Sequence, residues 1–230
     1  MLVLAIDTTT SVCSVALAKD DKLLAEITTD LARTHSQRLL PIVETLFAGT
    51  GRKPEELELL AVTRGPGSFT GLRIGIATVK GMGLALDLPV VGISTLQVLA
   101  HNFGSGLVCP VLNARLDQVY TALYRSGQGL MPECLIPEQA ISVRDLVDKL
   151  GNYDEPVWFC GDGVDLVFPL AAEMLSSPRR APLHLRGNRA AALADLARHH
   201  PSCSADALTP NYLRDSQAEI QLRRRLEGAK

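Results

Sequence analysis

The chain opens on three short runs dominated by apolar residues. Residues 2–6 are near-continuously apolar, residues 12–17 are broken only by Ser14, and residues 23–28 follow a polar turn at 19–22. Runs of this length between polar turns predict strands, here an antiparallel meander. The period then changes. Leu39, Ile42, Val43 and Leu46 fall on one stripe of a helix that takes Ser36 as its N-cap and ends at Ala48, with Pro41 a turn inside it. Residues 59–63 predict a strand, residues 71–86 a helix and residues 90–92 a short buried strand. Ser94-Thr-Leu-Gln97 matches a capping box and opens a helix to Asn102.

The same order then recurs. Strand patterns lie at residues 107–112, 119–124 and 134–136. Ser142, with Asp145 at the capping-box position, opens a helix to Leu150. A strand at 157–160, a helix at 164–175, a short strand at 183–185 and a helix capped by Asn188 and ending near His199 complete the set. The halves share no evident sequence identity, so the repeat is one of element order. Two βββαβα units, residues 1–102 and 103–230, flanking a cleft resemble the α/β fold of the actin-like ATPases.

Composition narrows the class. With 230 residues, 47% hydrophobic and 21% charged, the chain can bury a sizeable core, which excludes disordered, collagen-like and coiled-coil proteins. The formal net charge is −2, and each half is near neutral: 9 Lys+Arg against 10 Asp+Glu up to residue 102, then 14 against 15. This argues against gripping nucleic acid by bulk charge. The densest basic stretch, Arg223 to Arg225, reads as a solvated tail. Cys13, Cys109, Cys134, Cys160 and Cys203 form no Cys-x-x-Cys pair; an odd count without a secretory leader predicts reduced thiols in the cytoplasm. The 27 uncharged residues 88–114 are long enough for a membrane span, but Pro89, Gln97, His101, Asn102, Gly104, Gly106 and Pro110 interrupt them. Two buried strands around a short helix fit better.

Two stretches could carry chemistry. Asp7-Thr8-Thr9-Thr10, at the end of the first strand, places a carboxylate and three hydroxyls where they could hold a metal-bound phosphate or form a plain hydrogen-bonded turn. Arg64-Gly65-Pro66-Gly67-Ser68-Phe69-Thr70-Gly71-Leu72-Arg73-Ile74-Gly75 follows a strand and opens a helix, where glycines admit a ligand to the backbone. Its spacing fits neither familiar phosphate loop. Gly75, Gly81 and Gly83 inside that helix cost about 1 kcal/mol each relative to Ala, so packing must offset roughly 3 kcal/mol. One face carries Leu72, Ile76, Val79, Gly83 and Leu86, another Gly71, Gly75, Thr78, Met82 and Ala85. A helix apolar or small on two faces meets its own sheet on one and a second helix, in this chain or a partner, on the other. The histidines lack metal-ligand spacing, and His199-His200 suits a helix C-terminal cap. No Gly-x-Ser-x-Gly elbow is present.

At Gly65-Pro-Gly-Ser-Phe-Thr-Gly-Leu-Arg-Ile-Gly75 the chain resembles the TsaB (YeaZ) family. Further carriers are Leu4-Ala-Ile-Asp-Thr-Thr9, His35-Ser36 with Arg38-Leu39-Leu40-Pro41, Asn113-Ala-Arg115 with Val119-Tyr120, Gly161-Asp-Gly163 and Pro210-Asn-Tyr-Leu-Arg214, so the resemblance spans nearly the full length. It implies a non-catalytic subunit of the bacterial complex that installs threonylcarbamoyl-adenosine at position 37 of transfer RNAs reading codons that start with A. It further implies pairing with a catalytic paralogue, TsaD, recruitment of an ATPase, TsaE, a homodimer when alone, and only indirect contact with transfer RNA. Thr95 and Leu99 stand where the paralogue has metal-binding histidines, and Asn113-Ala114-Arg115 replaces a glycine pair in a second phosphate loop. Neither Thr nor Leu substitutes for imidazole on a transition metal. The resemblance therefore implies no metal and no cofactor of its own, with ATP or ADP held at the complex interface. It places nucleotide contacts at Asp7, Thr8, Thr9, Gly67 and Ser68. Partner contacts fall at Ser36, Leu39, Ile42, Val43, Leu46, Gly71, Arg73, Gly75, Thr78 and Met82, so that Gly75→Leu is expected to weaken pairing in a folded chain. The alternatives are an ATP-dependent small-molecule kinase of the same fold and, weakest, a metallopeptidase.

Overall fold

A computed structural model describes residues 1–31, 34–127 and 129–214. The first half contains β1 (Leu2–Asp7), β2 (Val12–Lys19), β3 (Lys22–Asp30), α1 (His35–Thr50), β4 (Leu59–Gly65), α2 (Phe69–Leu86), β5 (Val90–Ser94) and α3 (Thr95–His101). The second contains β6 (Gly106–Asn113), β7 (Gln118–Ser126), β8 (Glu133–Ser142), α4 (Val143–Leu150), β9 (Val157–Cys160), α5 (Val164–Met174), β10 (Pro178–Arg180), α6 (Leu183–Arg186) and α7 (Ala190–Ala197).

The recurrence of order becomes a recurrence of topology. The first sheet runs β3-β2-β1-β4-β5 and the second β8-β7-β6-β9-β10. In each, the leading strand is central, antiparallel to the next and parallel to the fourth. Successive side chains of β1 point to opposite faces. Leu4 and Ile6 meet Leu39, Val43, Leu46, Ile76 and Val79 of α1 and α2, whereas Val3 and Ala5 meet Ala190, Leu193 and Ala194 of α7. Helix α3 is shared: Val98 packs on the first sheet, and Leu96, Leu99 and Ala100 pack with Val108, Leu112 and Tyr120 of the second. Helices α4 and α5 cover the far face of the second sheet. The chain thus returns to the first sheet after Asn188, and its backbone pairs Cys203 with Val90.

Several boundaries depart from the sequence expectation. Thr34, not Ser36, is the extended residue before α1, and it makes no side-chain cap; Ser36 lies in the first turn. The helix runs past Ala48 because it ends on Gly51, whose φ of 67° is the left-handed C-cap conformation glycine favours. Helix α2 starts two residues before Gly71, since the Ser68 side chain accepts from the Gly71 N–H at 3.3 Å. β8 is far longer than residues 134–136 because backbone pairing to β7 resumes at Gln139, beyond an irregularity at Pro137 and Glu138, and runs to Ser142. Residues 183–185 form a helical turn after Pro182, not a strand. The strand is β10, a charged edge whose Arg179 and Arg180 guanidiniums lie over Trp158 and Phe168. Asn188 does not cap α7; Arg189 holds that position. The uncharged stretch resolves into β5, α3 and β6, and among the described residues no helix is long and apolar enough to cross a membrane. His200 does cap α7, through Nδ1 to the Leu196 carbonyl at 3.0 Å. Arg223 to Arg225 lie outside the described residues.

Candidate functional site

The site is built on the carboxyl end of β1. Asp7 continues the Val3–Ala5 side of the strand toward the start of α7 and is wholly buried. Its Oδ1 accepts from the Thr9 N–H at 2.9 Å and the Thr9 hydroxyl at 2.8 Å. Its Oδ2 accepts from Asn188 Nδ2 at 2.7 Å, and the same amide reaches Thr9 Oγ1 at 2.9 Å. Burial pushes the Asp7 carboxyl up from its ordinary value, against the pull of the Thr9 and Asn188 donors. The turn is thus tied to a residue 181 positions away.

The glycine stretch docks on this turn backbone to backbone. Ser68 N–H donates to the Thr9 carbonyl at 2.7 Å, and the Thr8 hydroxyl donates to the Gly71 carbonyl at 2.7 Å. A Cβ at Gly67 would overlap the Thr9 carbonyl, and one at Gly71 the Thr8 carbonyl. At Gly75 it would stand 2.5 Å from Thr8 Oγ1, and at Gly65 2.5 Å from the Asn211 carbonyl. The glycines therefore admit the chain's own backbone and hydroxyls. The close packing also offsets the helix penalty at Gly75. It corrects one expectation: Gly75→Leu would collide with Thr8 and Val62 and disturb the fold itself, so it does not isolate a partner contact.

Helix α1 locks onto the same turn. His35 Nε2 donates to the Thr10 carbonyl at 2.7 Å, which leaves Nδ1 as an acceptor facing Arg38 Nη2 at 3.4 Å. Arg38 is buried and also reaches the Ser11 and Thr29 carbonyls. The sequence marked His35 and Arg38 within the resemblance but gave them no role. Asn188 carried no local signal beyond that of a cap.

The equivalent turn after β6 is closed in its own way. Asn113 Oδ1 accepts from Arg115 N–H at 2.8 Å, and Asp162 Oδ1 accepts from Asn113 N–H at 2.9 Å. Arg115, Leu116 and Asp117 have φ of 64°, 53° and 56°, the left-handed region that favours glycine. Arg214 Nη1 donates to the Ala114 carbonyl at 2.9 Å.

The remaining predicted site residues separate by burial. Asp7, Thr8 and Thr9 are enclosed, Gly67 is half-buried and Ser68 is exposed. Leu39, Val43 and Leu46 lie in the core beneath α1, and Gly71 and Gly75 lie against Thr8. Ile42, Thr78 and Met82 are half-buried, while Ser36 and Arg73 are exposed. The second face of α2 is thus closed by the chain at Gly71 and Gly75 and opens toward Ala85. Thr95 starts α3 and Leu99 lies in the core of the second sheet, both fully buried. Among the described residues no three His, Cys, Asp or Glu side chains gather as a metal-ligand group.

Comparison with known proteins agrees with this architecture. The family model described as TsaD, tRNA N6-adenosine threonylcarbamoyltransferase, matches residues 22–222. The tRNA threonylcarbamoyladenosine biosynthesis protein TsaB of Bacillus subtilis (strain 168) is 35% identical over 224 residues, 96% of this chain and 97% of that protein. The TsaB protein of Escherichia coli (strain K12) is 41% identical over 133 residues, 56% of this chain and 57% of its own. The structure of YeaZ from Pseudomonas aeruginosa superposes with a TM-score of 0.80 at 30% identity, covering 92% of this chain and 99% of that one. The ethanolamine utilization protein EutJ from Carboxydothermus hydrogenoformans, at 12% identity and a TM-score of 0.51 over 83% of this chain and 88% of its own, shares the fold alone. With two sheets of one topology in the actin-like ATPase arrangement and a full-length match at this level of identity, the chain belongs to the TsaB (YeaZ) family of tRNA threonylcarbamoyladenosine biosynthesis proteins.

Proposed function

We propose that this chain is the non-catalytic partner subunit of the complex that transfers threonylcarbamoyl to transfer RNA, with the chemistry in a TsaD-like paralogue. The observation that carries the reading is the closure of the Asp7 turn. Both carboxylate oxygens are engaged by Thr9 and Asn188, and the glycines beside it are filled by Thr8 and Thr9. A kinase of this fold needs that carboxylate open to a metal-bound phosphate, so the same closure weighs against the kinase reading. ATP or ADP then belongs at the junction with a TsaE-like ATPase, where Ser68 and Gly67 are the outward members of the predicted set.

The pairing surface is the outer side of α1 and α2. Leu40 and Leu84 are 54% and 61% exposed, and Ala77, Gly81 and Ala85 present a small-residue path between them and the half-buried Ile42, Thr78 and Met82. Small residues let a facing helix approach closely, and exposed leucines supply apolar area. The same surface serves a homodimer when the paralogue is absent.

The test is co-expression with the TsaD paralogue of the same organism, followed by sizing chromatography and a modification assay with and without this chain. A heterodimer and modification dependent on this chain are expected. Gly81→Leu, at a position where a Cβ meets no described atom within 4 Å, is expected to leave the chain folded and abolish the heterodimer. Modification that proceeds without this chain overturns the reading.

A further inference from the structure

The last described segment, residues 208–214, crosses from one half of the molecule to the other. On the first half, Leu208 sits in the core under α2 and its carbonyl accepts from Lys80 Nζ at 3.2 Å. Asn211 N–H donates to the Arg64 carbonyl at 2.7 Å. The Asn211 carbonyl occupies the space that a side chain at Gly65 would need, and Gly65 has a φ of 115°. Tyr212 stacks on Phe69 with ring centroids 4.6 Å apart, and its hydroxyl accepts from Arg73 Nε at 3.3 Å. On the second half, Leu213 packs with the cluster of Leu112 and Tyr120, and Arg214 holds the Ala114 carbonyl. Asn211 Nδ2 also reaches Glu138 Oε2 at 3.5 Å.

The two ends of this segment grip one loop on each half. Arg64 to Phe69 is the start of the glycine stretch, and Ala114 lies in the turn after β6. Besides this segment, α3 and the return of the chain into α7 join the two sheets, and layers that meet through few elements can shift relative to one another. We propose that residues 208–214 form a tether that fixes the spacing of the Arg64–Phe69 loop and the Asn113–Arg115 turn, so that the two halves are held in register by the chain itself. Gly65 is the seat of the tether: only a residue without Cβ admits the Asn211 carbonyl there.

A tether in series has a distinctive behaviour. Cutting either end releases both loops, whereas independent contacts release only the loop that loses its bond. Tyr212→Ala removes the stack on Phe69 and the bond from Arg73, both in the first half. Arg214→Ala removes the bond to Ala114, in the second. Hydrogen–deuterium exchange of the full-length variants, read at the amides of residues 64–72 and 114–117, separates the cases. Each variant is expected to speed exchange about tenfold in both stretches, with the central strands β1 and β6 unchanged. If each variant loosens only its own loop, or neither loop changes, the tether is overturned. Should Tyr212→Ala lose its helical signal, Arg214→Ala alone decides, by whether residues 64–72 follow residues 114–117.

Discussion

Asp7 meets no solvent, and its carboxyl is held above the ordinary 3.8 by burial. A carboxyl whose pKa is higher in the folded chain binds more protons folded than unfolded in the window between the two values. Stability therefore falls as pH rises from 3.8 through that window, and the penalty is complete above the folded value. Asp20, Glu56, Glu155 and Asp195 are shifted the other way by their partners and mask this slope in the intact protein. Asp7→Asn removes the one titration and keeps the shape. Urea unfolding of both proteins across this range is expected to give a wild-type-minus-variant difference that declines as pH rises from 3.8 and then levels. A difference independent of pH would mean that Asp7 titrates alike folded and unfolded. The buried thiols behave differently: burial pushes Cys109 up to about 12 and Cys13 to about 11, so both stay protonated and pack as small apolar groups.

Helix α2 shows how one residue type does opposite things along one element. At Gly71 a Cβ would overlap the Thr8 carbonyl, and neither backbone can yield, so Gly71→Ala is expected to cost about 3 kcal/mol. At Gly81 a Cβ meets no described atom, and Gly81→Ala is expected to stabilise the monomer by about 1 kcal/mol through helix propensity alone. Thermal or urea unfolding of the two variants checks the contrast in sign; equal effects would mean that propensity governs both. The sequence marked all these glycines as unusual but did not separate them, because their neighbours are far away in the chain: Thr8 for Gly71 and Gly75, and Asn211 for Gly65. Elements with a strong pattern were legible. β1, β2 and β9 follow their apolar runs, α2 follows its periodicity, and α4 starts at its Ser142 cap. Edge and irregular elements were not. β10 is Pro-Arg-Arg, whose pairing to β9 no apolar pattern announces, and α1 begins at a Thr34 that caps nothing with its side chain. The Asp7 turn was legible as polar residues after a strand, with two roles left open. Its enclosure was not, because Asn188 and the Ser68 N–H that close it arrive through tertiary packing.

At the scale of the whole molecule, two sheets of one topology are joined by few devices: α3 packed on both, the return of the chain into α7, and the crossing of residues 208–214. Asn188 sits where the second of these begins, and its amide is the donor that reaches Asp7 from the second half of the chain. Asn188→Ala leaves Asp7 Oδ2 buried without that donor, while the Asn188 Oδ1, which has no partner among the described residues, is lost at no cost. A buried acceptor left unpaired costs about 1–3 kcal/mol, toward the upper end when it carries charge. Loss of the donor also raises the Asp7 carboxyl further, since the Asn188 hydrogen bond is one of the contacts holding it down. The window in which the folded state takes up a proton therefore widens upward. The variant's deficit is largest above the folded pKa, shrinks as pH falls through it, and below 3.8 is reduced to the worth of a hydrogen bond to a neutral carboxyl. Urea unfolding of Asn188→Ala at neutral and at acidic pH is expected to show a deficit that narrows with acid. Measured against Asp7→Asn alone, the double variant Asp7→Asn with Asn188→Ala is expected to show a deficit that does not change with pH. A deficit in the single variant that is the same at both pH values would place the role of Asn188 in packing the start of α7, and would free Asp7 from any part in holding the two halves together.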